Sequence, residues 1–291
     1  MQPESEDQQP LLRLGTPARG RRPALARQRQ DYILEKVRQQ GAVRVADLVD
    51  TLGVSDMTIR RDLVLLHERG LLEKMHGGAA ALPGGALFEP GFGAKSVLMQ
   101  AEKEAIAAAA VELVAPGTAI GVSAGTTTYA LAERLVEVPA LTVVTNSIPV
   151  ADILHARGRP DQTVILCGGV RTPSDALVGP LAVNALRSLH VDMVFMGVHG
   201  MDARGFTTPN ILEADTNRAL IEAGRRLIVL ADHTKWGVVG ISAIARLDEA
   251  EMVITDSQLA ADARETLEPT LRLLVVDPAE PARAAAQSRV S

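Results

Sequence analysis

Short apolar runs alternate with helical patterns along most of this 291-residue chain. The runs predict strands at 118–122, 141–145, 163–167, 191–198, 226–232, 252–256 and 271–277. Helical patterns fill most of the segments between them, at 127–136, 148–157, 180–189, 213–224 and 257–267. Apolar strands that alternate with helices are typical of a parallel sheet covered on both faces, so this part of the chain is predicted to be a Rossmann-like α/β domain.

Three helical patterns precede this region, and each is followed by a glycine. They cover residues 24–40, residues 45–52 and a third segment that starts at Ser55. Ser55 is a favourable N-cap residue, and the apolar stripe after it, at Ile59, Leu63 and Leu66, has helical spacing. Two short strands are predicted around residues 76–78. Helix, short helix, tight turn and third helix is the order of a helix-turn-helix.

These patterns divide the chain into five parts. Residues 1–22 are polar, with scattered Pro and Gly, and are interpreted as a disordered arm. Residues 24–80 are predicted to form the helix-turn-helix domain, and residues 96–277 the α/β domain. The Pro- and Gly-rich residues 81–95 are interpreted as the linker between them, and residues 278–291 as a loosely ordered tail.

Composition excludes several classes of protein. Cys167 is the single cysteine, so an internal disulfide is impossible and a reducing compartment is favoured. No signal peptide pattern and no apolar run of about 18 residues is present, so we expect a cytoplasmic protein. The six histidines lack partners at ligand spacing, and neither a Walker loop nor a dinucleotide fingerprint occurs. We therefore expect no metal and no cofactor.

Charge is distributed unevenly between the two predicted domains. The whole chain carries a net charge of −5, which by itself argues against a nucleic-acid partner. Residues 1–80, however, hold 13 Lys and Arg against 11 Asp and Glu, so the acidic balance belongs to the remainder. A basic end on an acidic body fits a small DNA-binding head. A basic, solvated tail would give the same count.

The third helix offers the residues for DNA contact. On a helical wheel its apolar stripe faces the first two helices, which leaves its N-terminal half exposed with Ser55, Met57, Thr58, Arg60 and Arg61. This is the part of a recognition helix that reaches base edges in the major groove. Arginine can bind guanine in bidentate fashion or hold a phosphate, and the sequence leaves both roles open for this pair.

The sequence VSDMTIRRDL, followed by HERGLLEKMHGGA, resembles the winged helix-turn-helix of the DeoR family of bacterial transcriptional regulators. The resemblance covers residues from about 27 to 79. It implies that the domain binds double-stranded operator DNA, with Arg27, Arg44 and His76 as further candidate contacts.

A candidate anion site follows the first strand of the α/β domain. That strand runs into SAGTTT, residues 123–128, and then into a helix. Backbone N–H groups at a helix N-terminus, the helix dipole and the Thr hydroxyls all favour an anion, and Gly125 permits close approach. The predicted cradle consists of Gly125, Thr126, Thr127 and Thr128. An ordinary strand-to-helix turn would use the same residue types.

Segments of the second domain, among them SAGTTT, TNSIPVA and ADHTKWG, resemble the effector domain of the same family. The resemblance implies a fold similar to ribose-5-phosphate isomerase and a phosphorylated sugar or polyol as effector. It adds Asn146, Gly168, Gly169, Asp202 and Lys235 to the predicted site. Many family members have Asp-Ser where this chain has Ser123-Ala124, which bears on the preferred sugar.

We interpret the protein as a repressor of carbohydrate-metabolism genes that a bound phosphorylated sugar or polyol releases from DNA. One winged head offers little contact for a specific site, so a homodimer or homotetramer is expected. The alternative is a sugar-phosphate isomerase with an appended DNA-binding head. Isomerisation needs a base near the carbonyl carbon, and the sequence shows only a lone Asp202 there. An activator, or a binder without a ligand, is also open.

Overall fold

A computed structural model of the chain describes residues 26–40, 42–75, 77–80, 91–96 and 98–278. The predicted arm at 1–22 lies outside these residues. So do residues 81–90 of the predicted linker and all but the first residue of the predicted tail.

The N-terminal domain, called the head below, contains three helices and a small antiparallel sheet. Its elements are α1 (Ala26–Gln40), β1 (Ala42–Arg44), α2 (Val45–Leu52), α3 (Asp56–Glu68), β2 (Glu73–Met75) and β3 (Gly78–Ala80). The strands are ordered β1-β3-β2. The predicted helices and the two strands of the wing are therefore confirmed. Strand β1, which was not predicted, pairs Val43 with Ala79.

The head is held together by a small apolar core and one buried ion pair. Ile59, Leu63 and Leu66 of α3 are buried against α1 and α2, as the stripe predicts. Arg29 of α1 forms a buried ion pair with Asp62 of α3. A buried pair that loses one partner leaves an uncompensated charge, so this contact fixes α1 relative to the recognition helix.

The C-terminal domain, called the body below, is built on a seven-stranded parallel sheet. The strands of the whole body, within the main sheet and outside it, are β4 (Ala119–Val122), β5 (Thr142–Thr145), β6 (Thr163–Leu166), β7 (Val170–Arg171), β8 (Leu177–Val178), β9 (Met193–Gly197), β10 (Gly200–Asp202), β11 (Gly205–Thr208), β12 (Leu227–Leu230), β13 (Ser242–Ala245), β14 (Met252–Asp256) and β15 (Arg272–Val276). The main sheet has the order β15-β14-β12-β9-β4-β5-β6. All seven predicted strands lie in it, and their pairings are parallel.

Helices cover both faces of this sheet, as predicted. They are α4 (Phe92–Ser96), α5 (Gln100–Val111), α6 (Thr126–Leu135), α7 (Ile148–Arg157), α8 (Pro180–Arg187), α9 (Ile211–Ala223) and α10 (Ala261–Leu267). Two apolar cores, one for each face, hold the helices to the strands. Cys167 is buried in one of them, and burial raises the pKa of its thiol to about 11.

Two small antiparallel sheets were not predicted. Strands β10, β11 and β13 form one, and the hairpin β7-β8 forms the other. Helix α4 likewise lies in the part of the chain predicted as linker, where Phe92 packs edge-on against Tyr129 at a ring distance of 5.6 Å. In the described part of the chain, no helix is long and apolar enough to cross a membrane.

Candidate functional site

The N-terminal half of α3 forms an exposed surface on the head. Ser55, Arg60 and Arg61 are exposed, and Met57 is 75% exposed, whereas Ile59 on the opposite side is fully buried. An apolar side chain this exposed has no core to fill, so it is available for contact with another molecule. The wheel prediction for these residues agrees with the structure, but a DNA contact remains a prediction.

Two side chains of this surface already have local partners. Arg60 forms an ion pair with Asp56, with its Nε 2.5 Å from Oδ1. The Ser55 hydroxyl accepts the N–H of Thr58 at 3.3 Å and bonds to the Thr58 hydroxyl at 2.8 Å. Ser55 and Thr58 thus cap α3, and Arg60 is oriented along its first turn. Arg61 projects from the same turn into solvent.

The other predicted DNA contacts are Arg44, Arg27 and His76. Arg44 is exposed on β1, beside the wing. Arg27 is exposed on α1, one turn before Asp31. His76 lies outside the described residues. All three stay predictions as DNA contacts.

In the body, a cleft lies where the strand order reverses. The chain runs from β4 outward through β5 and β6, and then returns to β9 on the other side of β4. Ligands of open α/β sheets bind beyond the carboxyl ends of the strands at such a switch point. The loop 123–125 after β4 and Gly197 at the end of β9 meet there.

The loop before α6 is built to present backbone N–H groups. Gly125 is the N-cap of α6 with φ 152°, in a region that only glycine adopts readily. Its neighbours Thr126 and Thr127 begin the helix, so their N–H groups have no partner within it. A Cβ at Gly125 would also lie 3.2 Å from the Thr128 hydroxyl. The loop thus has the geometry of a helix N-terminus that can bind an anion, and its role as an anion cradle stays a prediction.

Three predicted or adjoining polar residues support this loop from behind. Asn146 accepts the N–H of Ala124 at 3.0 Å, and Ser123 accepts the N–H of Gly197 at 2.9 Å. Thr128 is fully buried and donates to the carbonyl of Gly125 at 3.0 Å. Their hydrogen bonds fix the cradle's shape.

The cleft has a volume of about 570 Å³, part of which is open to solvent. The lining comprises Lys95, Ala124, Gly125, Thr126, Thr127, Ser174, Gly197, Val198, His199, Thr208, Glu213, Asn217, Lys235 and Ile244.

Four predicted residues are among these, namely Gly125, Thr126, Thr127 and Lys235, and five are not. Thr128 and Asn146 lie behind the loop, and Gly168 and Gly169 lead into β7. Asp202 is in β10 and pairs with Arg204 at 2.7 Å, a hydrogen bond that holds the pKa of this carboxyl below its usual range. These five stay predictions as ligand contacts.

The structure adds cleft residues that the sequence reasoning missed. Glu213 and Asn217 come from the first turns of α9, which Asn210 caps by accepting the N–H groups of Leu212 and Glu213. Lys95 comes from α4. Asn210, followed three residues later by Glu213, is a sequence signal for the start of a helix. No sequence pattern, however, indicates which side of α9 faces the cleft.

Behind the cleft, a buried lysine connects two segments. Lys103 of α5 donates from Nζ to the carbonyl oxygens of Lys95 at 2.7 Å and Leu98 at 2.6 Å. Burial, together with the nearby cations Lys235 and Lys95, lowers the pKa of Lys103 to about 7. Burial alone would raise the pKa of Asp232, but Lys235 and Lys103 hold it below its usual value.

The head contacts the body next to this lysine. Leu98 is buried in the apolar core of the head. Burial and repulsion by Glu102 raise the pKa of Asp31 of α1 to about 6, against the opposing effect of the nearby backbone N–H of Met99. The segment 95–103 thus touches the cleft at one end and the head at the other.

The loop after β12 is also influenced by the charge of a residue of the head. Burial lowers the pKa of His233, but its 2.9 Å bond to Asp256 outweighs burial, and Glu35 of α1 adds to the increase. Two residues further along the same loop, Lys235 lines the cleft.

Comparison with known proteins gives matches to both domains. The model of the DeoR-like helix-turn-helix domain matches residues 29–83, and that of the DeoR C terminal sensor domain matches residues 99–257. The HTH-type transcriptional regulator YgbI of Escherichia coli K12 is 38% identical over 85% of this chain and 97% of its own. The HTH-type regulator GlpR of Haloferax volcanii is 37% identical over 84% and 95%, respectively.

The glycerol-3-phosphate regulon repressor of Escherichia coli K12 is 34% identical over 79% of this chain and 90% of its own. Among solved structures, a ribose 5-phosphate isomerase A from Methanocaldococcus jannaschii aligns with 46% of this chain and 53% of that one, with 16% identity and a TM-score of 0.34. Such a distant likeness carries no conclusion about function.

Proposed function

Because the chain belongs to the DeoR family of transcriptional regulators, we propose that it is a cytoplasmic repressor of carbohydrate-metabolism genes that a phosphate ester releases from DNA. The observation that carries the effector half is the cleft, where two lysines face a helix N-terminus with a glycine cap. A phosphoryl group is the anion that such an arrangement suits best.

DNA binding is assigned to the exposed half of α3 and to the wing. Arg60 and Arg61 reach base edges or phosphates, and Met57 supplies an apolar contact surface. Because a single recognition helix covers only a few base pairs, two heads are needed for a specific operator. The protein therefore acts as a homodimer or homotetramer, and sedimentation of the full chain measures which one forms.

Ligand and DNA are coupled through the segment 95–103. We expect Lys95 to bind the phosphoryl group, and the backbone carbonyl of Lys95 accepts a hydrogen bond from Lys103. Leu98, three residues after Lys95, packs in the apolar core of the head. The loop that carries Lys235 also carries His233, whose pKa the charge of Glu35 on α1 helps to raise. A ligand that prefers one arrangement of these contacts shifts the head between a DNA-fitting and a non-fitting position.

Catalysis is the less favoured alternative. Glu213 is a carboxylate in the cleft, where hydrogen bonds from Thr172 and Ser174 to Oε1 hold it in place. The relatives of this chain are transcriptional regulators, which favours a regulator over an enzyme. Incubation of the full chain with ribose 5-phosphate tests the alternative, and we expect no ribulose 5-phosphate above a no-protein control.

The proposed function is tested with a fluorescent fragment of the protein's own promoter and a panel of sugar and polyol phosphates. We expect specific binding to the fragment over a scrambled one of equal length at 0.15 M salt. We also expect at least one phosphate ester, but not its dephosphorylated parent, to raise the melting temperature and weaken DNA binding. Stabilisation by the parent compound instead would contradict the phosphate assignment.

A further inference from the structure

Beyond the anion cradle, a second polar subsite lies in the same cleft on helix α9. Glu213 and Asn217 are four residues apart, so both side chains leave the helix on one face. Their side chains are buried, with exposed fractions of 7% and 8%, and both line the cleft. Two buried polar side chains that converge on one cleft indicate a second recognition point for a ligand.

The carboxylate of Glu213 has one oxygen filled and the other largely open. Thr172 donates to Oε1 at 2.7 Å, and Ser174 makes a short hydrogen bond to the same oxygen. Within the part of the chain that the structure describes, Oε2 receives only the hydroxyl of Thr208, at a long 3.4 Å. An ionised carboxylate accepts about four hydrogen bonds and donates none, so Oε2 retains capacity for a donor from a ligand.

Asn217 is the more telling residue. Among the described residues its amide makes no hydrogen bond to another side chain or to the backbone, and the residue lines the cleft with 8% of its surface exposed. The amide is therefore available to a ligand in the cleft. An amide can both donate to and accept from a hydroxyl group, so a polyol would satisfy it.

We propose that Glu213 and Asn217 form a hydroxyl-reading subsite, which selects phosphate monoesters with an uncharged, hydroxyl-bearing far end and rejects those whose far end is an anion. This inference rests on the proposed effector function of the cleft. The cradle and the two lysines take the phosphoryl group, while Glu213 accepts a ligand hydroxyl and Asn217 bonds its neighbour. A terminal carboxylate or second phosphate would meet the carboxylate of Glu213 in a partly enclosed site, where like charges repel strongly.

Three matched pairs of probes test the proposal by isothermal titration: glycerol 3-phosphate against 3-phosphoglycerate, erythritol 4-phosphate against 4-phosphoerythronate, and glucitol 6-phosphate against 6-phosphogluconate. Members of a pair share carbon skeleton and phosphate and differ in the far end. For each pair that binds, we expect the polyol phosphate to bind the full chain at least tenfold more tightly. In Glu213→Gln the difference should fall below threefold. Equal or tighter binding of the acids to the unaltered protein overturns the proposal, as does an unchanged preference in Glu213→Gln.

Two further variants separate recognition from folding. Glu222→Gln removes the same charge from the exposed end of α9, where Glu222 lies 3.8 Å from Arg187, and should keep the tenfold preference. Asn217→Ala removes an amide that makes no hydrogen bond to the described residues, so the fold should persist. We expect it to bind the polyol phosphates at least fivefold more weakly and inorganic phosphate unchanged; equal loss for both overturns the assignment of Asn217.

Binding of inorganic phosphate distinguishes failure of the Glu213–Asn217 subsite from failure of the proposed effector site. If it binds the unaltered protein competitively with the esters but the pairs show no preference, the subsite fails while the cradle stands. If neither phosphate nor any ester binds, the proposed effector site fails and the subsite fails with it.

Discussion

The ammonium group of Lys103 lies 2.7 Å from the carbonyl oxygen of Lys95, to which it donates a hydrogen bond. The side chain of Lys95 lines the ligand cleft, and the same ammonium group also holds the carbonyl of Leu98, which is packed in the head. One buried cation therefore ties the wall of the cleft to the residue that anchors the DNA-binding domain. An element that both sites contact can couple them if each ligand favours a different arrangement of it.

Replacement of Lys103 tests this link. In Lys103→Met the two carbonyl oxygens lose their donor while an apolar chain of similar length fills the space. We expect the ligand and the operator each to bind within about threefold of the unaltered protein. The ligand's effect on operator affinity, which for coupling of about 1–3 kcal/mol is roughly 5- to 150-fold, should fall below twofold. Fluorescence anisotropy with and without ligand measures it. A variant that still responds fully would place the coupling elsewhere.

The head–body contact should depend on pH through Asp31. Burial and Glu102 raise the pKa of Asp31 to about 6, against the opposing effects of the Met99 N–H, Arg27 and Lys103. Between about pH 4 and pH 6, Asp31 is therefore protonated in the folded protein and ionised in the unfolded chain. By linkage, this group lowers the free energy of unfolding as pH rises through that window.

Asp31→Asn keeps an acceptor for the Met99 N–H but cannot ionise. We expect its melting temperature, relative to the unaltered protein, to increase from pH 4 to pH 6.5 and to level off above. Thermal unfolding at half-unit pH steps gives the difference curve. A difference in melting temperature that stays constant from pH 4 to pH 6.5 would contradict the raised pKa of Asp31.

The recognition surface is tested by removing both exposed arginines of α3. Each bidentate arginine contributes about 1–3 kcal/mol, so Arg60→Ala with Arg61→Ala should weaken specific binding at least about 30-fold, by the conversion of about 1.4 kcal/mol per tenfold change. Arg159→Ala is the matched control, because Arg159 is an exposed arginine of the body paired with Asp161 at 2.9 Å. Promoter binding by anisotropy decides it. Tight, specific binding by the double variant would remove α3 from the interface.

A carboxylate placed in the cradle should block the ligand without affecting DNA binding. Thr126 is half-buried at the start of α6, so Thr126→Glu brings negative charge to the N–H groups that we assign to the phosphoryl group. We expect at least a hundredfold loss in affinity for the best phosphate ester and operator binding within twofold of normal. Titration calorimetry measures the first and anisotropy the second. Normal ligand affinity would show that the cradle has been misplaced.

Much of the fold was predictable because its signals are local. Seven apolar runs became the seven strands of the main sheet, and Ser55 capped α3 as its residue type indicates. Strand β1 and the hairpin β7-β8 escaped prediction because two or three residues carry no periodicity. Their pairing depends on partners far along the chain, such as Val43 with Ala79.

The residues of the cleft likewise fall into those that a local sequence pattern indicates and those that only the fold brings together. The cradle predicted at 125–128 belongs to one contiguous strand-turn-helix, so the sequence alone can propose it. Lys95, Glu213 and Asn217 reach the cleft from α4 and α9, and only the tertiary fold brings them there. The side chain of Asn146 bonds Ala124 and Leu177, so this polar strand end supports the loop, and its contact with a ligand stays a prediction.

The central claim is that occupation of the cleft changes the affinity of the head for DNA. The most direct measurement is the operator Kd of the full chain at fixed salt, with no ligand and with a saturating concentration of the tightest-binding phosphate ester, alongside Thr126→Glu. We expect operator binding to weaken at least fivefold for the unaltered protein and to stay the same for Thr126→Glu. A cleft shown by calorimetry to be saturated, together with an unchanged operator Kd, would contradict the claim.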